Sequence, residues 1–219
     1  MTAGPIGNPG AFIRANTKIL APPLLPELRL HLAEESLPIW LKTEEELGAE
    51  GLPPPYWAFA WAGGQALGRH LIDNPSLVAG KRVFDLAAGS GLGAIAAMKA
   101  GAAEATGNDI DAFAGEAMRL NAALNGVPLT ILIADMLGGG PPIADVVLVG
   151  DVFYEKPLAT RALGWATACR EAGALVLAGD PKRSYFPRDA FSHVAEYSVP
   201  VSRELEDAEI KQTSIWRLE

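Results

Sequence analysis

The sequence contains a single cysteine, Cys169, among its 219 residues. One thiol cannot form an internal disulfide and is too few for a zinc cluster, so we expect a reducing compartment, the cytoplasm or, for a eukaryotic source, the mitochondrial matrix. The three histidines, His31, His70 and His193, are far apart in the chain. Their spacing matches no metal-ligand motif, and no Ser-His-Asp or Cys-His arrangement is evident. The sequence therefore predicts no metal site and no covalent nucleophile.

The sequence also lacks an apolar run of the roughly 18 to 20 residues that a membrane helix needs, and residues 1–10 have no signal-peptide pattern. Clusters of Lys and Arg are absent as well. With 18 basic and 26 acidic residues, the formal net charge is −8, which is unfavourable for binding a nucleic-acid backbone. We expect a globular, monomeric protein that binds neither membranes nor nucleic acids.

One stretch in the middle of the chain has the pattern of a strand, a glycine-rich loop and a helix. Residues 83–86 form a short apolar strand that carries Asp85, and residues 92–100 are rich in helix-forming alanine. The loop between them contains Gly89 and Gly91. Glycines let the backbone turn sharply and let a ligand approach the positive N-terminus of the following helix. The stretch predicts a nucleotide-type binding loop.

The glycine spacing alone leaves the ligand open. Gly89, Gly91 and Ala94 also satisfy the G-x-G-x-x-A form of the dinucleotide fingerprint, with Asp109 about twenty residues further on. A NAD(P)-dependent oxidoreductase is therefore an alternative from these residues. A glycine-rich turn that holds no ligand is another, and a non-catalytic binding module is a third.

Asp85, four residues before Gly89, favours a different ligand. The run D-L-A-A-G-S-G at 85–91 resembles motif I of the class I S-adenosylmethionine methyltransferases, in which the acid serves the amino end of the ligand. This sequence departs from the motif at Ala87, where the family usually has glycine. The resemblance implies S-adenosylmethionine as the cofactor, with Asp85, Ala87, Gly89 and Gly91 at its site.

Beyond the glycine loop, strand-length apolar runs alternate with helix-forming stretches, which is the pattern of a parallel sheet covered on both faces. The segments 193–200 and 211–218 instead indicate two antiparallel strands, joined through a charged turn at 203–207. The sequence therefore predicts an α/β fold with a Rossmann-like, seven-stranded, mostly parallel sheet and an antiparallel C-terminal strand. Besides 83–86, the predicted strands are 103–109, 129–133, 145–149 and 174–178, and the predicted helices include 64–72, 112–124 and 156–171.

We divide the chain into an N-terminal extension, 1–55, and a methyltransferase domain, 56–219. Residues 12–48 have the pattern of helices interrupted by prolines, and a Pro-rich connector follows them. The domain then begins with four aromatic residues within six positions. Trp57 and Trp61 in this segment are interpreted either as core residues or as a wall of the cofactor site.

In open α/β sheets, ligands bind at the carboxyl ends of the strands. The second predicted strand is followed by Asp109, whose two carboxylate oxygens suit a pair of ribose hydroxyls, and by Ile110. The third is followed by Asp135 and Met136, an acid for the adenine amino group and an apolar side chain for the ring. Taken alone, Asp111 suits a helix N-cap and a ligand contact equally well. Asp135 taken alone is more typical of a turn residue than of a ligand contact.

The fourth predicted strand is followed by Gly150-Asp-Val-Phe-Tyr154. A methyl donor bound along the first three strands would direct its methyl group here, so we expect the methyl acceptor at this point, with Gly150 beside the donor. Asp151 and Tyr154 are predicted as the catalytic pair that holds an incoming amine, and Phe153 as a wall of the substrate site. The alternative is a helix cap and a packed tyrosine.

Taken together, the motifs P-Y-W, G-G-Q-A-L, N-D-I-D, G-D-x-F-Y and G-D-P are similar to those of the electron transfer flavoprotein beta-subunit lysine methyltransferases. That family belongs to the seven-strand methyltransferases with a D-x-x-Y signature. The resemblance implies methylation of lysine side chains on that flavoprotein subunit. Related enzymes methylate ribosomal proteins, and nicotinamide is a further possible acceptor, so both stay open. The matching segments are 12–17, 26–30, 55–58, 61–67, 108–111, 150–154 and 179–181.

Overall fold

The computed structural model describes residues 8–33, 54–201 and 209–219. The predicted turn at 203–207 and most of the predicted Pro-rich connector lie outside these ranges. The α-helices within them are α1 (Pro9–Asn16), α2 (Ala62–Asp73), α3 (Leu92–Lys99), α4 (Ala112–Asn125) and α5 (Lys156–Glu171). The strands are β1 (Lys18–Leu20), β2 (Leu30–Leu32), β3 (Arg82–Leu86), β4 (Glu104–Asp109), β5 (Thr130–Ile133), β6 (Val146–Gly150), β7 (Leu175–Asp180), β8 (Phe191–Pro200) and β9 (Ile210–Leu218).

Seven strands form one mostly parallel sheet in the order β5-β4-β3-β6-β7-β9-β8. The first five of these strands are parallel to one another, whereas β9 runs antiparallel to both β7 and β8. This arrangement confirms the predicted fold class. The chain moves outward from β3 in one direction and then returns to β6 on its other side, so the strand order reverses between β3 and β6. Ligands of such sheets bind at the carboxyl ends of the strands on either side of this point.

The two faces of the sheet carry separate apolar layers because successive side chains of a strand point to opposite sides. Val147 and Val149 of β6 pack with Trp165 of α5 on one face. Val146 and Leu148 pack with α2 and α3 on the other. Helices on both faces explain why β6 is a continuous apolar run rather than an alternating one.

Cys169 lies in the apolar layer of α5, where burial raises its thiol pKa to about 11. This is the position of a small core side chain rather than a reactive one. Within the described ranges, no helix is both long and apolar enough to cross a bilayer.

The N-terminal segment differs from the sequence prediction. Helical structure extends only to Asn16, and it is followed by the antiparallel pair β1 and β2. Pro22 and Pro23 lie between these strands, where each removes a backbone donor that a helix would need. Leu25 and Leu28 are fully buried in one cluster with α3 and α4. The described part of the predicted extension, 8–33, therefore packs on the sheet domain. The rest of the predicted helical region, 34–48, lies outside the described residues.

Candidate active site

The glycine loop joins the end of β3 to the start of α3. Gly89 and Gly91 both have positive φ, +52° and +80°, the left-handed region that glycine adopts without strain. A Cβ on Gly91 would lie 2.9 Å from Cγ of Met118 in α4. Glycine is thus required here by the backbone and by packing against α4. The loop presents main-chain atoms at the N-terminus of α3, which suits a polar ligand.

Three non-glycine residues of the described chain also have positive φ: Ala87 at +52°, Asp151 at +56° and Lys182 at +71°. They follow β3, β6 and β7, three adjacent strands, at the same edge of the sheet. Ala87 occupies the position where motif I usually has glycine, and a left-handed alanine costs roughly 1–2 kcal/mol. Backbone strain of this kind collects at functional sites. The strained residues therefore lie at the edge of the sheet where the sequence motifs predict the binding site.

Asp85 lies beneath the glycine loop and is only 5% exposed. Its carboxylate accepts a hydrogen bond from the backbone N–H of Ala94 in the first turn of α3, at 2.8 Å. Burial raises the pKa of Asp85 to about 7, and the nearby charge of Asp109 adds to the effect. Ionising a buried carboxyl group without a partner costs free energy. Asp85 therefore favours a cationic neighbour, such as the amino group of an amino acid ligand.

We expect Asp85→Asn to stabilise the ligand-free protein, and more at pH 8 than at pH 5. The raised pKa of folded Asp85 contributes stability below its unfolded value, and this contribution is lost as the pH rises through about 7. Asparagine keeps an acceptor for Ala94 and does not titrate. The melting temperatures of both proteins at the two pH values test this. An equal difference at both would show that Asp85 does not titrate in this range.

Asp109, at the end of β4, braces the glycine loop. Its carboxylate accepts hydrogen bonds from the backbone N–H groups of Gly89, at 3.0 Å, and Asp111, at 3.1 Å. Burial raises its pKa. Asp111 caps α4 by accepting from the N–H of Phe113 at 2.8 Å, which is the N-cap alternative considered above. Ile110 is 75% exposed between them and offers an apolar surface beside the loop.

Asp135 and Met136 follow β5 at the same edge. Asp135 accepts from the N–H of Leu137 at 3.0 Å and so caps the short helical turn Met136–Gly138. Its other carboxylate oxygen pairs with Arg161 of α5 at 2.6 Å. This arginine and the hydrogen bond to Leu137 hold the pKa of Asp135 below its usual value. A role toward the adenine ring stays a prediction for both residues.

The two tryptophans of the aromatic segment have different positions. Trp57 is 3% exposed and its indole ring stacks on Phe113 at 6.2 Å between ring centres. Trp57 thus packs in the core, although its backbone faces Gly89. Trp61 is half-buried, and its indole N–H donates to the carbonyl oxygen of Tyr56 at 2.9 Å. Only the Trp61 ring lies at the rim of the site.

Asp151 is tied to two other segments of the chain. One carboxylate oxygen accepts from Nη2 and Nε of Arg183, at 2.8 Å and 3.2 Å. The other accepts from the backbone N–H of Gly64, in the first turn of α2, at 3.1 Å. The guanidinium of Arg183 lies 5.9 Å from the centre of the Trp61 ring. Asp151 therefore does cap a helix, but this helix is α2 rather than α5, whose N-cap is Glu155.

Tyr154 is 43% exposed, and its ring lies 6.3 Å from that of Tyr56. Phe153 has no exposed surface. Its ring packs edge-on against Phe186 and Phe191, at 5.1 Å and 6.1 Å. The prediction that Phe153 walls the substrate site is therefore corrected, because its side chain points into the core. The exposed aromatic rings at this position are those of Tyr56 and Tyr154.

The turn after β7 adds a second acid. Asp180 is 1% exposed and accepts from the backbone N–H of Arg183 at 2.8 Å. Its other oxygen has no hydrogen-bond partner among the described residues. Burial, with the charge of Asp151 as a further cause, raises the pKa of Asp180 to about 6. Asp180 thus fixes the backbone of the turn that directs Arg183 toward Asp151.

Comparison with known proteins identifies the family. Residues 70–151 match the family model of ribosomal protein L11 methyltransferase (PrmA). The electron transfer flavoprotein beta subunit lysine methyltransferase of Xenopus laevis is 39% identical over 217 residues, which are 96% of this chain and 87% of that protein. The human protein of the same name is 38% identical over 213 residues, 94% of this chain and 80% of the relative. The chain belongs to this lysine methyltransferase family.

Solved structures agree with the fold of this methyltransferase. The ribosomal protein L11 methylase of Lactobacillus delbrueckii superposes with a TM-score of 0.51 at 20% identity, covering 74% of this chain and 81% of that one. The magnesium protoporphyrin IX methyltransferase of Synechocystis, solved with bound SAH, gives 0.51 at 18% identity, covering 71% and 82%. The family membership also decides against the NAD(P)-dependent oxidoreductase that the glycine spacing left open.

We call the side of the sheet where the parallel strands have their carboxyl ends the carboxyl edge. Its residues suit S-adenosylmethionine, a nucleoside with an amino acid tail. The glycine loop offers main-chain atoms at a helix N-terminus, and Asp109 places a carboxylate against that loop. Ile110 and Met136 offer apolar surface on the neighbouring strand ends, where an adenine ring would need it. The predicted cofactor residues thus meet at one edge, except that the side chain of Trp57 lies in the core.

Sequence reasoning missed Arg183 and assigned no role to Asp180. Gly179-Asp-Pro181 was recognised only as part of the family resemblance. A signal was present nonetheless, since an acid followed by proline at the end of a predicted strand indicates a turn at the binding edge.

Proposed function

We propose that this methyltransferase transfers methyl groups from S-adenosylmethionine to lysine side chains of the electron transfer flavoprotein beta subunit. The observation that carries the proposal is the 39% identity to a protein of that name over 96% of the chain. This match extends beyond the cofactor half and includes the Asp151 and Arg183 segments. The enzyme acts as a monomer in the compartment that holds the flavoprotein, the cytoplasm or the mitochondrial matrix.

The ends of β3, β4 and β5 would hold the cofactor. The main chain at Gly89 and Gly91, together with Asp85, would serve its amino acid part, and Asp109 would accept from the ribose hydroxyls. Asp135 and the neighbouring Met136 side chain would serve the adenine. When bound, the cofactor supplies a methyl group on a sulfonium, and an uncharged amine that takes this methyl leaves the electron pair on sulfur and becomes a methylammonium ion.

Asp151 and Tyr154 orient the lysine side chain. An amine N–H donates to the Asp151 carboxylate, which the N–H of Gly64 and the Arg183 guanidinium already hold in place. The Tyr154 hydroxyl lies at the exposed rim and gives the amine a second partner. Enzymes of this kind gain rate by holding the reacting atoms in the correct geometry, and no covalent intermediate with the protein is needed.

The lysine has to lose a proton before it reacts, because its pKa in water is about 10.4. Burial of an amine beside the half-buried Trp61 lowers that pKa, and so does a nearby positive charge. The ionised Asp151 has the opposite effect. The balance between these groups decides how much of the bound lysine is reactive.

We expect the purified enzyme to add mass in steps of one methyl group to the flavoprotein beta subunit in the presence of S-adenosylmethionine. Intact-mass and peptide mass spectrometry would locate the modified lysines. Asp109→Ala should prevent the reaction because the ribose loses its acceptor and the loop loses its brace. Calorimetry with S-adenosylhomocysteine should show the matching loss of affinity. Unmodified flavoprotein with a cofactor-binding wild-type enzyme would contradict the proposed substrate.

Ribosomal protein L11 is the comparison substrate in this assay. The L11 methyltransferase family model matches residues 70–151, which contain the glycine loop and the strand ends that hold the cofactor. It does not extend to the turn that carries Asp180 and Arg183. The match therefore favours a shared cofactor site over a shared protein substrate, and we expect L11 to stay unmodified under conditions that modify the flavoprotein.

A further inference from the structure

Arg183 so far only helps to hold Asp151 in place, yet its positive charge lies against the proposed amine site. Its Nη2 lies 2.8 Å from the Asp151 carboxylate, and its side chain is 21% exposed while that of Asp151 is 10% exposed. A pair so little exposed interacts more strongly than one in water. The net charge beside a bound lysine therefore depends on both Asp151 and Arg183.

The position of Arg183 is fixed by its own turn. Asp180 accepts from its backbone N–H, and Lys182, the residue before it, has a left-handed backbone. The guanidinium is bounded on another side by the ring of Trp61. Two segments distant in sequence, the aromatic segment and the β7 turn, thus hold one arginine against one carboxylate.

We propose that Arg183 is a positioning residue that sets the charge of the acceptor site: by neutralising Asp151, it makes the site bind the lysine as the uncharged amine. The inference rests on the proposed function. An isolated carboxylate would bind lysine as an ammonium ion and stabilise the unreactive form. With its charge compensated by arginine, Asp151 orients the amine as a hydrogen-bond acceptor and holds no proton on it.

Other titratable groups near this pair are Asp180, Lys182, Tyr154 and Tyr56. Asp180, with its pKa raised to about 6, is ionised throughout pH 7 to 10 and adds a constant charge. Lysine and tyrosine side chains titrate near pH 10 in water. The charge of Arg183 lowers the pKa of Asp180, so Arg183→Gln raises that pKa, while the side chains of all four groups stay unchanged in the variants considered below. A difference in pH dependence between variants therefore reports the change at position 183.

The test is the pH–rate profile of Arg183→Gln with the flavoprotein substrate from pH 7 to 10. We expect kcat to fall by about tenfold or more at pH 7.5, because an uncompensated carboxylate raises the pKa of a neighbouring amine by about 1–3 units. The loss should become smaller as the pH rises toward 10, since solution deprotonation then supplies more of the reactive form. A purely structural role would give a loss of equal size at every pH, which would overturn the proposal, as would a rate above wild type at pH 7.5.

Two further variants strengthen the test. Arg183→Lys keeps the positive charge and should keep the wild-type profile, so a shifted profile in this variant would also overturn the proposal, even if Arg183→Gln did not fold. In Asp151→Asn with Arg183→Gln, both charges are absent. The pH–rate profile of this double variant should lack the shift to high pH that Arg183→Gln shows, whatever the absolute rate. A profile that keeps the shift would contradict charge compensation.

Arg82→Gln is the matched control. Arg82 makes the same kind of pair with Asp145, through Nη2 at 2.7 Å and Nε at 3.1 Å, at the opposite end of the strands. Its loss should leave the pH profile unchanged. Wild-type enzyme that methylates the flavoprotein at no pH would mean that the proposed function fails. Active wild type with no difference between the profiles would mean that only the role of Arg183 fails.

Discussion

Replacing Asp151 with alanine should lower methylation by about 100-fold or more while S-adenosylhomocysteine still binds, because misplacing a reacting group by about 1 Å has effects of that size. The variant loses the carboxylate that we propose orients the amine, and the Arg183 guanidinium loses that ion-pair partner. Initial rates with the flavoprotein subunit, together with calorimetry, measure the two properties separately. A fall in kcat with retained cofactor affinity is the expected pattern.

Asp145→Ala is the control for lost stability, since it removes an aspartate that is paired with Arg82 far from the site. Asp151 also caps α2, and loss of a cap costs about 1 kcal/mol. The melting temperature of Asp151→Ala should therefore fall modestly. Turnover close to wild type in this variant would reduce Asp151 to a helix cap and remove the main support for the proposed acceptor site.

Gly63→Ala should damage both the fold and the reaction, whereas Gly64→Ala should not. A Cβ on Gly63 would meet the carbonyl oxygen of Gly179 and lie 2.5 Å from a carboxylate oxygen of Asp151. Overpacking of this kind costs typically 1–3 kcal/mol, and here it would also displace Asp151. We expect a lower melting temperature and a rate reduced by about tenfold or more, in line with the sensitivity of catalysis to small misplacements.

Gly64 is the neighbouring control because a Cβ on it would meet nothing within 4 Å. Alanine keeps the N–H that donates to Asp151 and is favoured over glycine in a helix by roughly 0.5–1 kcal/mol. Thermal melts and initial rates of both variants test the predicted difference between Gly63→Ala and Gly64→Ala. Equal behaviour of the two would mean that α2 and the end of β7 are not in the close contact seen here.

The sheet could be predicted from the sequence because its signals are local. β6 is a continuous apolar run that Asp151 follows directly, and β3 is largely apolar, with Gly89 and Gly91 in the loop after it. The strands predicted at 83–86 and 145–149 agree with the structure to within about one residue, the usual uncertainty of element boundaries. This order of strands predicts which edge of the sheet binds the ligand, and it places Asp85, Asp109 and Asp151 at that edge.

Features that depend on contacts between distant segments could not be predicted. Phe153 follows Asp151 in a conspicuous motif, but its ring direction is set by Phe186 and Phe191, more than thirty positions away. Leucines near Leu28 suit a helix and a strand equally, and only packing against α3 and α4 decides between them. The pairing of Arg183 with Asp151 depends on two strands lying side by side, which no local pattern records.

The strand order at the C-terminal side of the sheet also bears on how the nascent chain folds. β8 precedes β9 in sequence, yet among the described residues its strand partner in the sheet is β9, which separates it from β7. During synthesis, the ten residues of β8 leave the ribosome before their partner strand β9, residues 210–218, has been made. Until then, β7 and β8 both present unpaired backbone, the situation in which partly folded chains associate with one another. In the described fold, β8 therefore joins the sheet after β9 has been synthesised.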